Sequence, residues 1–351
     1  MSTPPSHPGS SAEARAASND PVQQVPFPWV HRSVLVTGAT GLLGSHLVSH
    51  LVERGARVGA LVRDYIPDAE SKRAGSLAQC WQVHGAIEDF DLLERTLNEH
   101  EVDTVFHLAA QTIVGTAHRN PRSTFEANIR GTYNLLEACR RVSTVRRVIV
   151  ASSDKAYGDH GPTPYTEEQA LQGRHPYDVS KSCADLIAQA YFVTYGLPVC
   201  ITRCGNLFGG GDLNFNRLVP GTIRALLRGE APIVRSDGRF VRDYFYVRDA
   251  VLAYVQLAER MEAAGVCGEA FNFSNDQPLT VLDMVERLRS VTGREDLTPV
   301  ILNEVRHEIH SQALCSAKAQ RLLGWKPRYA LDEALAETVA WYRAHAASQL
   351  R

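Results

Sequence analysis

The fold class that the sequence predicts is α/β: a doubly wound, mostly parallel sheet with a smaller C-terminal lobe. Three observations carry it. Short β-branched apolar runs alternate with segments of helical periodicity from residue 33 to residue 204. The runs are apolar at nearly every position, as strands covered on both faces must be. The loops between them are short, which suits successive strand–helix–strand crossovers.

The elements follow in order. Residues 33–37 form a buried strand between Arg32 and Gly38, and residues 42–54 have helical periodicity ending at Gly55, a suitable C-terminal cap. Further strands are expected at 57–62, more weakly at 81–83, then at 104–108, 145–152 and 199–203. Helices are expected at 89–100, 125–140 and 176–195. Beyond residue 204 the pattern loosens. Gly209, Gly210 and Gly211 mark a loop, with helices at 216–228, 247–260, 279–290 and 331–343 and short strands at 232–235 and 270–273. The division that results is a disordered tail at 1–29, a dinucleotide-binding domain at 30–204, and a mainly substrate-binding lobe at 205–345. Some of that lobe's elements return to the main sheet.

Composition excludes several classes. Of 351 residues, 44% are apolar and 22% charged, enough for a sizeable core and too many for a disordered or collagen-like chain. Lys plus Arg is 37 against 39 Asp plus Glu, a net charge of −2, so no basic excess points to nucleic acid. The seven cysteines are odd in number and contain no CxxC, which fits free thiols in a reducing, cytoplasmic setting. No apolar run reaches the roughly 18 residues of a membrane span. The Ser-, Pro- and Ala-rich first 29 residues lack the apolar stretch of a signal peptide.

Chemistry enters at Gly38, Gly41 and Gly44. This GxxGxxG follows a buried strand and opens a helix, the context of a Rossmann-like dinucleotide site. Gly38 permits the tight turn, Gly41 the approach of a pyrophosphate and Gly44 close helix–strand packing. The helix N-terminus offers unpaired N–H groups to the phosphates. At the end of the second strand Asp64 suits the ribose 2′-hydroxyl of NAD, whereas Arg63 suits the 2′-phosphate of NADP; NAD is favoured.

Tyr177 and Lys181 lie i,i+4 on one helix face, after Pro176 in the first turn. A phenol is a poor base at neutral pH. A nearby ammonium and a nicotinamide cation both favour phenolate, which then takes a hydroxyl proton as hydride leaves the same carbon. Ser153, Asp154 and Lys155 follow an apolar strand at its carboxyl end, where Ser153 can bond the substrate hydroxyl or the tyrosine.

These residues, with His107-Leu-Ala-Ala110, resemble the extended short-chain dehydrogenase/reductase family. Residues 152–158, 175–181, 203–212 and 242–247 are similar to the nucleotide-sugar 4,6-dehydratases, and most to the CDP-glucose 4,6-dehydratase type. The resemblance spans about residues 33–340. It implies oxidation at sugar carbon 4, water loss across carbons 5 and 6, and hydride return to carbon 6, with the cofactor regenerated each turnover. It places Thr40, Leu42, Leu43, Ile87, Leu108, Ala109 and Ala110 against the cofactor and Gln111 beside the substrate. Asp154 matches the acid that protonates the leaving hydroxyl. Lys155 stands where the dTDP-glucose and GDP-mannose enzymes carry a Glu base; it acts either as a base with a strongly lowered pKa or as a stabiliser of the enolate. Ala86 stands where many relatives place an Asp against adenine, leaving Glu88 or Asp89 as substitutes.

On the substrate side, Asn206 resembles the residue that bonds the diphosphate, and Arg242 the arginine that pairs with it. Asn216, Leu218 and Val219 match the nucleotide-base pocket, and Arg306 is a further phosphate candidate. His107, His160 and His175 lack metal-site spacing, so no metal is expected. The helices at 125–140 and 176–195 resemble a dimeric four-helix bundle, so a homodimer is expected, with Leu186, Ile187 and Tyr191 serving core or interface. Three competing readings remain: an epimerase or decarboxylase on the same scaffold, since epimerisation at carbon 4 needs only Tyr177, a GDP-mannose 4,6-dehydratase, and a silent cofactor-binding regulator.

Overall fold

The computed structural model describes residues 27–304 and 309–345. Seven strands form the central sheet: β1 (Ser33–Thr37), β2 (Arg57–Val62), β3 (Trp81–His84), β4 (Thr104–His107), β5 (Arg147–Ala151), β6 (Val199–Cys204) and β7 (Ala270–Phe273). Their order is β7-β6-β5-β4-β1-β2-β3, with every neighbouring pair parallel. The chain winds outward from β1 to β3, returns to β4, and winds the other way. Between β1 and β4 the direction reverses, and the crevice at their carboxyl ends is where such sheets hold ligands.

Alternation explains the uniformly apolar strands. Val34 and Val36 point into one core cluster with Phe106 and Ile149, whereas Leu35 points into the other with Val105, Val148 and Val150. Helices cover both faces: α1 (Leu42–Glu53), α2 (Phe90–Glu99), α3 (Gly131–Arg141), α4 (Pro176–Tyr195), α5 (Leu218–Arg228), α6 (Val247–Arg260), α7 (Val281–Thr292) and α8 (Leu331–Ala344). Asp89 caps α2 by accepting from the Leu92 N–H, and Thr280 with Asp283 forms a capping box on α7. None of these helices, among the described residues, is long and apolar enough to cross a membrane.

Three features depart from expectation. The helix expected at 125–140 is broken: Pro121–Phe125 is α-helical, Glu126–Arg130 is a π-helical turn, and α3 follows. Periodicity cannot show a single inserted residue of this kind. The tail expected to run to residue 29 ends earlier. Trp29 is buried, its Nε1 donates to Glu259 at 2.7 Å, and Phe27 packs against its ring. The Ser/Pro-rich average concealed one large aromatic; the first 26 residues lie outside the described part. Finally, the lobe contains pairs of very short strands. Asn206–Phe208 lies parallel to Tyr244–Tyr246, and Val241–Arg242 sits between Leu279–Thr280 and Ser311–Gln312. Strands of two or three residues carry no readable period.

Candidate active site

The glycine loop lies at the reversal point. Gly38 has φ +73°, and a Cβ there would sit 2.8 Å from the backbone of Leu108 and Ala109. A Cβ on Gly44 would sit 2.0 Å from the Gly38 carbonyl oxygen, so α1 can approach β1 only without a side chain there. A Cβ on Gly41 would meet only that same oxygen, at 3.4 Å. No side chain caps the N-terminus of α1, which leaves its first N–H groups for a phosphate. The residues present therefore fit a dinucleotide. Thr40 and Leu42 are half-buried on this loop, Leu43 is turned into the core, and Leu108, Ala109 and Ala110 form the facing edge beyond β4.

At the end of β2, Arg63 and Asp64 are exposed and bond each other, Nε to Oδ2 at 2.7 Å. Ile87 is buried beneath Gly131. Asp89 is occupied as the α2 cap, whereas Glu88 keeps a buried Oε2 with no partner among the described residues. Glu88 is thus the better substitute for the missing acidic contact.

Pro176 starts α4 and places Tyr177 and Lys181 on its buried face. Lys181 Nζ donates to the Ala151 carbonyl at 2.8 Å, tying it to the end of β5. Burial lowers its pKa to about 8, against the opposing pull of Asp185. Burial and the Asp154 charge push the Tyr177 phenol up to about 12. The proximity argument anticipated the opposite direction. Desolvation and the Asp154 charge outweigh the pull of Ser153 and Arg217, so the phenol depends on additional positive charge arriving with the cofactor.

Ser153 connects the groups. It lies close enough to Tyr177 to oppose the rise of the phenol's pKa, its Oγ donates to Asp154 Oδ1 at 2.9 Å, and it accepts from the Lys155 N–H at 3.2 Å. Asp154 is 3% exposed, and burial raises its carboxyl above the usual range despite the Lys155 and Arg242 charges. A carboxylic acid held this way is suited to donate a proton. Lys155 Nζ donates to Gln312 Oε1 at 3.0 Å, and the buried Asp178 carboxyl also feels its charge.

Arg242 is buried, with Nη1 donating to the Val241 carbonyl at 2.8 Å, and its charge reaches Asp154. Asn206, paired with Tyr244 in the neighbouring short sheet, and Asn216 are exposed. Leu218 is half-buried, whereas Val219 is turned into the core cluster. Gln111 is half-buried and folds back on its own loop, exchanging bonds with the backbone of Ile113. Arg306 lies outside the described residues. His107 is a core residue: Nδ1 pairs with Thr37 Oγ1 and Nε2 with Thr132 Oγ1, both at 2.9 Å. Among the described residues no three His, Cys, Asp or Glu side chains gather as metal ligands.

Sequence reasoning missed three contributors. Asn128, in the π-helical turn, is 1% exposed; it accepts from the Gln111 N–H at 2.7 Å and donates to Ser180 Oγ at 2.9 Å. It thereby ties the loop beyond β4 to the catalytic helix. Arg203 and Asp185 form a buried two-pronged pair at 2.8 and 2.9 Å, and Arg203 also donates to Tyr157. That anchors the turn carrying Asp154 and Lys155. Gln312 is the third. The π-turn and the long-range reach of Gln312 to Lys155 were beyond any sequence signal; Arg203 stood in a motif already singled out.

The GDP-mannose 4,6 dehydratase family model matches residues 35–338. The chain belongs to this family. It is 31% identical over 335 residues to a CDP-glucose 4,6-dehydratase of Salmonella typhimurium, covering 90% of this chain and 92% of that one. A dTDP-glucose 4,6-dehydratase of Xanthomonas campestris is also 31% identical, over 330 residues, covering 88% and 92%. Among solved structures, a dTDP-glucose 4,6-dehydratase of Streptomyces venezuelae with NAD bound superposes with TM-score 0.81 at 30% identity, covering 91% and 100%. A UDP-glucose 4-epimerase of Thermotoga maritima gives TM-score 0.81 at 29% identity, covering 90% and 99%. This 4,6-dehydratase family member therefore shares its fold with dehydratases and epimerases alike.

Proposed function

We propose that the chain is an NDP-hexose 4,6-dehydratase, CDP-glucose being the favoured substrate, working with tightly bound NAD. The observation that carries the reading is the buried cluster of Tyr177, Ser153 and Asp154, in which Ser153 donates to Asp154, with Lys155 beside it. Epimerisation at carbon 4 needs Tyr177 alone. A second, buried acid next to it, its pKa raised by burial, is what water elimination needs.

Bound NAD supplies the hydride acceptor at carbon 4 and the donor at carbon 6. Tyr177 takes the carbon 4 hydroxyl proton, with Ser153 orienting that hydroxyl. Lys181 holds positive charge beneath the tyrosine. Asp154 protonates the departing carbon 6 hydroxyl. Lys155, positioned by Gln312, takes the carbon 5 proton as its neutral amine, and the ammonium so formed faces the enolate. Arg242 and Asn206 take the diphosphate, an arginine–phosphate fork being favourable there. NAD is favoured over NADP because the solved Streptomyces venezuelae dehydratase that this chain resembles holds NAD.

The CDP-glucose preference rests on Lys155 following Asp154 and on the similarity to the Salmonella enzyme. Seven unpaired thiols suit the cytoplasm. A homodimer through α3 and α4 is supported by exposed apolar side chains there: Tyr133, Leu186, Val193 and Tyr195. The testing experiment is mass spectrometry of purified protein incubated separately with CDP-glucose, dTDP-glucose, UDP-glucose and GDP-mannose, with NAD or NADP. A product lighter by one water from CDP-glucose is expected. A product of unchanged mass but altered chromatographic mobility would instead support epimerisation.

A further inference from the structure

Gln312 lies on the short strand Ser311–Gln312, in register beside Arg242 of the parallel strand Val241–Arg242. The two side chains therefore leave the short sheet on the same face. Gln312 is fully buried. Its amide faces the Lys155 ammonium, Nζ to Oε1 at 3.0 Å. An ammonium only donates, so the atom facing it must be the amide oxygen. That orients the other end of the amide: Nε2 points away from Lys155. Nε2 is buried and has no hydrogen-bond partner among the described residues. Buried amide donors in folded proteins nearly always find an acceptor. A leucine or methionine would fill the same space without this penalty, so packing gives no reason for the glutamine.

The surroundings identify the missing acceptor. Lys155 lies on one side and the Arg242 guanidinium on the neighbouring strand, and both charges act on the Asp154 carboxyl. An oxygen-rich anion suits a donor in this setting. We propose that Gln312 is a positioning residue with two functions. Its Oε1 holds Lys155 in place for elimination, and its Nε2 donates to an oxygen of the nucleotide sugar between Lys155 and Arg242. The proposal rests on the dehydratase reading above and extends it to a residue outside the motifs.

The test compares Gln312→Met, which removes both functions, with Gln312→Glu, which keeps the acceptor for Lys155 and removes the donor. Wild type and variants are given the same four nucleotide sugars. Oxidation is read as reduced nicotinamide in a single turnover, elimination as loss of water, and folding as the melting temperature. Gln312→Met is expected to keep oxidation at saturating substrate, slow elimination by about 10–100-fold and raise KM by about tenfold. Gln312→Glu is expected to keep elimination kcat while raising KM by more than about tenfold, because a carboxylate replaces the donor beside the diphosphate. Wild-type KM and wild-type elimination in Gln312→Met would overturn the proposal. Equal loss of oxidation and elimination in both variants, with unchanged KM, would overturn it too. If Gln312→Met fails to fold, the kcat and KM of Gln312→Glu decide. If wild type binds a nucleotide sugar but never eliminates water, the dehydratase reading fails while calorimetric affinities of wild type and variants still judge the donor. Absence of binding to all four sugars would overturn both.

Discussion

In the proposed mechanism Tyr177 and Asp154 divide the proton transfers, and both side chains stand in one buried environment. Burial raises the pKa of each, and Ser153 donates to Asp154. Tyr177→Phe is expected to lose at least about 100-fold in turnover while retaining NAD, since only the hydroxyl is removed. The check is turnover alongside the bound-cofactor absorbance of the purified variant. Asp154→Asn is expected to slow elimination by about 100-fold or more with carbon 4 oxidation little changed, read by separating the two steps in single turnover. Lys181 has its pKa lowered to about 8, so it is charged below that pH and neutral above it. Because its charge favours the reacting phenolate, kcat/KM should fall as pH rises through about 8. A pH–rate profile tests this, and a flat profile to pH 10 would remove Lys181 from the proton step.

At the scale of elements, much of the site was legible because its signals are local. The GxxGxxG turn, Pro176 at the start of α4, and the i,i+4 spacing of Tyr177 and Lys181 each need only a few adjacent residues. The illegible parts are non-local. Gln312 reaches Lys155 across 157 residues, and Asn128 acts from a π-turn that periodicity does not reveal. Val219 matched a pocket pattern, yet the rotation of α5 turns it into the core. Two predictions belong here. Gly44→Ala forces a carbon against the Gly38 carbonyl, and backbone cannot yield there. It should cost about 1–3 kcal/mol of stability and weaken NAD retention, measured by denaturant unfolding and cofactor content. Asp243 joins three elements: its Oδ2 accepts from Ser274 Oγ at 2.5 Å and from the Leu314 N–H at 3.2 Å. Burial raises its pKa from 3.8 to about 7. Between those values the unfolded chain has lost a proton that the fold keeps. Stability should therefore fall as pH rises across that window, by up to about 1.4 kcal/mol per unit from this group. Asp243→Asn should flatten that slope in urea titrations at pH 4 to 7.

For the whole molecule, the sheet reversal between β1 and β4 and the folded-back lobe determine where chemistry occurs. The glycine loop supplies one wall, β5 and α4 the reacting groups, and the short strands around Arg242 and Gln312 the other wall. Trp325 locks this lobe to the sheet, packing edge-on against Phe245 and against Phe273 of β7. The exposed stripe of α4 bears on assembly. Leu186 and Val193 are seven residues apart on one helix face and 53% and 80% exposed. If the proposed homodimer forms through this face, wild type is expected to sediment as a dimer and the double variant Leu186→Glu, Val193→Glu as a monomer.

The central claim is that hydride leaves carbon 4 and returns to carbon 6 of the same sugar after water is lost between them. The most direct measurement uses CDP-glucose deuterated at carbon 4 and locates the label in the product by NMR. Deuterium on a carbon 6 methyl group, in a product lighter by one water, is the predicted result. Deuterium still at carbon 4, with no water lost, would contradict the account and assign Tyr177 to epimerisation.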